Sequence, residues 1–249
     1  MADIDITVDG TVQIVRFNRA AKKNAITRDM YAQMAKALTD ADASDAIRVT
    51  AFLGQPEVFT SGNDLMDFLS VAQGGEQGTE VQDFLRAMIT CQTPFVAGVD
   101  GLAVGVGCTM LMHCDMVFAS PRAWLQTPFV DLGLVPEAGS SLLGPSIMGY
   151  QHAFALLAMG ERFSAQKAQD AGLVHSIVEP ELVDQSTLAA ARMLSEKPPQ
   201  ALATARRLLR GNTAPLMERM QEEGGLFAEA LKSDEARSAF MAFMSKKAS

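Results

Sequence analysis

A glutamate at position 137 stands in mostly apolar company, in the run Thr127-Pro128-Phe129-Val130-Asp131-Leu132-Gly133-Leu134-Val135-Pro136-Glu137-Ala138-Gly139-Ser140-Ser141. A carboxylate so placed is either a charge at a helix N-terminus or a desolvated acid/base. Two upstream segments bear on the choice. Thr60-Ser61-Gly62-Asn63-Asp64-Leu65 and Gly101-Leu102-Ala103-Val104-Gly105-Val106-Gly107-Cys108 are glycine-containing turns. Such turns can aim backbone N–H groups at a developing oxyanion. Together they favour the acid/base reading: one carboxylate moves a proton while main-chain donors hold the charge that forms.

Other chemistry-bearing residues offer less. Gly105-Val106-Gly107 lacks the third glycine of a dinucleotide loop, and no acidic residue follows where a ribose ligand would stand. Its glycines serve either close approach of backbone to a ligand at a helix start or simple helix–sheet packing. Asp64 reads as a cap or first-turn acid, and the backbone around Gly62, where an unusual turn is permitted, is of more interest. His113-Cys114-Asp115 puts metal-ligand types in a row, but adjacent side chains point different ways, so no metal site is expected. His152 and His175 stand alone, and Ser140 and Ser141 lack the frame of a nucleophilic serine. Arg19, Lys22 and Lys23, with Lys246 and Lys247, are local basic clusters. Each is solvated surface or a contact for a phosphate-rich ligand.

The elements that must position these residues follow from hydrophobic spacing. Ile4, Ile6 and Val8 alternate with polar residues, then Asp9-Gly10 turns into Val12, Ile14 and Val15, a hairpin. Thr27 caps a helix whose core stripe is Met30, Met34, Ala37 and Leu38. Buried strands are expected at 47–53, 95–99 and 116–119, a helix at 105–113, and a polar loop between two helices at 73–78. Ser164 is expected to cap a helix and Pro180 to open one, and amphipathic helices are expected at 202–209 and 227–244. Strand–helix alternation in the first two-thirds implies parallel pairing.

The 249 residues suit one large domain, or one with a small appendage. A net charge of −8 argues against binding nucleic acid or an anionic membrane. Cys91, Cys108 and Cys114 are an odd set that reads as reduced thiols, hence a cytoplasmic protein. No apolar run reaches membrane-spanning length, the first residues lack the shape of a signal peptide, and the last are not a peroxisomal address.

Taken together, the motifs Asn18-Arg19-Ala20-Ala21-Lys22-Lys23-Asn24-Ala25-Ile26, Ser61 to Leu65 and Gly101 to Cys108 resemble those of the crotonase, or enoyl-CoA hydratase/isomerase, superfamily along nearly the whole chain. The resemblance implies an α/β fold, a spiral of ββα units over residues 1–190, with a helical C-terminal oligomerisation region over 191–249. It implies an acyl-CoA thioester substrate, no cofactor beyond that coenzyme A, and homotrimers or dimers of trimers. By motif position, the backbone N–H groups of Asn63 and Val106 form the oxyanion hole. Lys23, Ala25, Ser61, Gly62, Asp64, Leu65, Gly105 and Phe129 are the expected acyl-CoA contacts. The two glutamates of the hydratase branch are replaced by Thr109 and Phe129. The segments 127–129 and 136–137 are instead similar to the Δ3,Δ2-enoyl-CoA isomerase branch, in which one glutamate at the position of Glu137 moves the proton. Phe129 and Val135 are expected to wall it from water. The alternatives are 2-enoyl-CoA hydration or another crotonase-type reaction using Glu137 alone, and a non-catalytic acyl-CoA-binding protein.

Overall fold

In this computed structural model residues 2–64 and 78–248 are described, the last six of them by backbone alone. Leu65, most of the loop expected at 73–78, and the side chains of Lys246 and Lys247 lie outside the described residues.

Strands β1 (Ile4–Asp9) and β2 (Val12–Phe17) pair antiparallel, as their alternation predicts. The two-residue link Gly10-Thr11 places Gly10 at φ 61°, open to glycine at little cost. Three strand pairs follow: β3 (Val49–Leu53) with β4 (Val58–Thr60), β5 (Phe95–Val99) with β6 (Leu102–Val104), and β7 (Met116–Ala119) with β8 (Trp124–Gln126). The short β9 (Phe163–Ser164) and β10 (Ser176–Ile177) complete two sheets. One runs β1-β2-β3-β5-β7-β10 and the other β4-β6-β8-β9. Each pair thus gives its first strand to one sheet and its second to the other, in the same order. That is a spiral, and its repeated strands pair in parallel.

The corners of the spiral are tied to one another. Asp100, between β5 and β6, accepts the N–H of Glu57 at 3.0 Å and two bonds from Arg122 at 2.7 and 2.6 Å. Glu57 and Arg122 stand at the matching corners of the neighbouring turns. One carboxylate therefore registers three turns.

Every residue of β3 and β5 is buried, which fits parallel strands covered on both faces. The aromatic core joins Phe17 edge-on to Phe59 at 5.3 Å and Phe52 to Phe95 at 6.1 Å. Thr27 caps the helix Arg28–Asp42 by accepting the Met30 N–H, and the stripe of Met30, Met34, Ala37 and Leu38 is buried, with Tyr31 beside it. This helix packs on the helix Glu80–Thr90. Ser164 caps Ala165–Asp170, and Pro180 opens a 3-10 turn leading into Val183–Ser195.

Two expectations need correction. The segment at 105–113 is one α-helical turn, Val106–Thr109, followed by a 3-10 turn, Met110–His113. The amphipathic stretch at 227–244 is divided between the helices Ala214–Leu231 and Asp234–Ala248. Ser233 ends the continuity by accepting the Ala236 N–H at 3.0 Å. The apolar spacing reads through this break because the two-residue link is too short to disturb it. No helix among the described residues is long and apolar enough to cross a membrane.

Candidate active site

The site begins with two chain segments laid side by side. Asn24, fully buried and left-handed at φ 51°, gives its amide to Val58 O and Phe59 O at 3.1 and 2.9 Å. Thr60 donates its hydroxyl to Asn24 O at 2.6 Å. Backbone bonds then continue the pairing: Ser61 N–H to Lys23 O, Ile26 N–H to Gly62 O, and Asp64 N–H to Ile26 O. Arg19 closes the strip with a 2.6 Å ion pair to Asp64. Asp64 is thus a latch between the two segments. Lys23 lies exposed on this strip, and Ala25, Ser61, Asn63 and Asp64 are partly exposed along it.

In this pairing the N–H of Asn63 points away from the neighbouring segment and bonds to none of the described residues. Val106, the first residue of its helical turn, likewise has an N–H with no partner among them. The two are brought near each other by Gly62 and Gly105. Gly62, at φ 85°, lies so close to β6 that a Cβ there would meet Val104 O at 2.6 Å. A Cβ on Gly105, at φ 58°, would stand 4.0 Å from the Gly62 Cα. Gly105 makes the turn, and Gly107 lets the helix start rest on Thr60, as the packing reading of this run expects.

Glu137 stands in the loop before the helix Ser140–Leu157. The helix is capped at Gly139, so Glu137 precedes its first turn. The side chain is only 6% exposed, and its Oε1 has no hydrogen-bond partner among the described residues. Burial first, and the negative charge of Glu223 second, push its pKa up to about 8. The loop is held in an uncommon conformation, with Ala138 at φ 63° and Gly139 at φ 71°. His113 fastens it from the core side, donating from Nε2 to Ala138 O at 2.7 Å. Burial lowers the pKa of His113 to about 4, so the ring is neutral near neutral pH.

Glu137 and Asn63 line one cavity, together with Ile26, Tyr31, Leu85 and Phe227. Tyr31 donates to Asn63 Oδ1 at 2.5 Å and so fixes the side chain beside the free N–H. Arg28 and Glu80, joined by bonds of 3.1 and 3.0 Å, also line it. Phe129, expected to contact the ligand and wall the glutamate, is buried in the main core and does not line the cavity; nor do Val135, Val106, Gly105, Gly62, Ser61, Ala25 and Lys23. The apolar wall comes from helices instead: Val81 and Leu85 on one, and Met220, Phe227 and Leu231 on another. Sequence reasoning missed these residues, together with Tyr31, His113 and Glu223. The helical spacing of 220, 224, 227 and 231 was visible, but nothing local told which core it faced.

The chain is similar in sequence and fold to known proteins. Residues 7–249 match a family model described as enoyl-CoA hydratase/isomerase. The chain is 33% identical over 97% of its length to "Enoyl-CoA delta isomerase 2" of Rattus norvegicus, and spans 63% of that protein. It is 31% identical to "Enoyl-CoA delta isomerase 3, peroxisomal" of Mus musculus, covering 99% of this chain and 79% of the mouse protein. A crystal structure of an enoyl-CoA hydratase/isomerase from Pseudoalteromonas atlantica T6c superposes with a TM-score of 0.93, at 38% identity and over 98% of each chain.

Proposed function

The chain belongs to the enoyl-CoA hydratase/isomerase family, the crotonase superfamily, and on that premise we propose that it shifts the C3 double bond of an acyl-CoA thioester to C2. The observation that carries the reading is the one carboxyl group lining the cavity that has no partner among the described residues. Asp64 and Glu80 also line it, but Arg19 and Arg28 pair with them. Thr109 and Phe129 stand where a hydratase would place its water-activating glutamates, and both are buried and carry no carboxyl group. One acid/base suits a reaction that removes one proton and returns it.

The Glu137 carboxylate takes a proton from C2. The electron pair left behind enters the C1–C2 bond, and the thioester oxygen becomes an oxyanion. The N–H groups of Asn63 and Val106 donate to that oxygen. The protonated Glu137 then delivers its proton to C4 of the dienolate, which leaves the double bond between C2 and C3. A raised pKa and an apolar wall serve both halves, since the same group must be base and then acid. In this reading Lys23, Ala25, Ser61, Gly62, Asp64 and Gly105 frame the thioester and its coenzyme A, and no metal or further cofactor takes part. Assembly into trimers or dimers of trimers belongs to the same proposal, supported by apolar side chains left exposed at Tyr150, Phe154 and Met159.

Supplying a 3-enoyl-CoA and crotonyl-CoA separately tests the reading. The 3-enoyl thioester is expected to give the 2-enoyl product, with crotonyl-CoA left essentially unhydrated. Faster hydration of crotonyl-CoA would overturn it.

A further inference from the structure

We propose that Glu223 is a positioning residue, fastening the helix Ala214–Leu231 to the loop that carries Glu137 and bringing its own carboxylate to that loop. Glu223 is 4% exposed. Its Oε2 accepts the Gly139 N–H at 2.6 Å and its Oε1 accepts the Ser141 N–H at 2.9 Å. These are N–H groups that the start of the helix Ser140–Leu157 leaves without intrahelical partners. Gly139 is two residues from Glu137 and adjoins the left-handed Ala138. One turn back on the same helix, Arg219 donates to Ser141 Oγ at 3.2 Å. The neighbouring face of that helix, Met220, Gly224, Phe227 and Leu231, lines the cavity. The element that walls the site therefore carries its own anchor to the acid/base loop.

The other charged groups nearby are offset. His113 is the titratable group of the 3-10 turn below the loop, and burial keeps it neutral. From the opposite wall, Arg28 is paired with Glu80 and Asp64 with Arg19. Arg219 is paired with Glu222. Among the described residues, Glu223 is the negative charge set against ionisation of Glu137.

The inference rests on Glu137 being the group that titrates in the cavity, and its test does not require turnover. The carboxyl resonance of Glu137 in the ¹³C-glutamate-labelled protein, assigned by its loss in Glu137→Gln, is titrated in the wild type, Glu223→Gln and Glu223→Asp. In Glu223→Gln the midpoint is expected to fall by about one pH unit or more, as removal of a close like charge requires. Glu223→Asp keeps the charge but withdraws it, so its midpoint falls less, and it stands in if Glu223→Gln does not fold. Turnover of a 3-enoyl-CoA, followed in parallel, should drop roughly tenfold or more as the loop loosens, with the acid limb of the rate profile moving with the midpoint. Unchanged titration of Glu137 in the folded variants overturns the inference. A shifted titration without any isomerisation supports it and refutes the proposed reaction instead.

Discussion

At the scale of residues, the proposed chemistry turns on the cost of ionising Glu137. Its pKa is raised from the ordinary 4.5 to about 8, so folding takes up a proton between these values. The stability this provides is full below about pH 4.5 and is lost as the pH rises through about 8. Glu137→Gln does not titrate, so its melting temperature relative to the wild type should climb from about pH 5 to about pH 9. Thermal melts across that range check the sign; a difference that stays flat would place the side chain in water. The same ionisation should make kcat/KM for a 3-enoyl-CoA rise with pH through about 8. The burial of Glu137 was legible in the sequence from its apolar neighbours. The charge that helps tune it was not, because Glu223 lies on a helix 86 residues further along and meets the loop only in the folded chain.

Among the elements, the two glycine turns do the placing. Gly62→Ala would force a side chain against Val104 O at 2.6 Å, at a φ of 85° that alanine disfavours. The variant is expected to lose about 2 kcal/mol or more of stability, and to lose turnover by more than that loss of fold explains. Urea unfolding and kinetics on the remaining folded fraction separate the two effects. A variant as stable and active as the wild type would show that the turn can relax. The hairpin, the buried parallel strands and the Thr27 and Ser164 caps were readable because each rests on local spacing or a local hydrogen bond. The break at Lys232-Ser233 was not, since apolar residues keep their helical spacing across it. Phe129 was expected at the pocket from its place in the 127–129 motif, whereas tertiary packing turns it into the core.

For the molecule as a whole, the spiral and the C-terminal helices must stay in register for the cavity to exist. Arg206 is one fastening between them. On the helix Pro199–Arg210 it bonds both oxygens of Asp115 at 2.8 Å and the Cys91 carbonyl at 2.6 Å, and it is 7% exposed. Arg206→Ala removes the guanidinium from the solvent-exposed Asp115 and from the Cys91 carbonyl, and is expected to cost about 2 kcal/mol. A shift in the urea midpoint checks this; no shift would mean that water replaces the guanidinium. The alternation that revealed the α/β spiral in the sequence could not reveal this fastening, because Arg206 looks like any other arginine on an amphipathic helix. All of these scales converge on one carboxyl group, and the direct test is the rate at which Glu137→Gln converts a 3-enoyl-CoA to its 2-enoyl isomer. Glu137→Gln is expected to fold, to bind the thioester and to lose at least about a thousandfold in kcat, the loss of an acid/base used twice. Turnover within a few-fold of the wild type would contradict the proposed reaction.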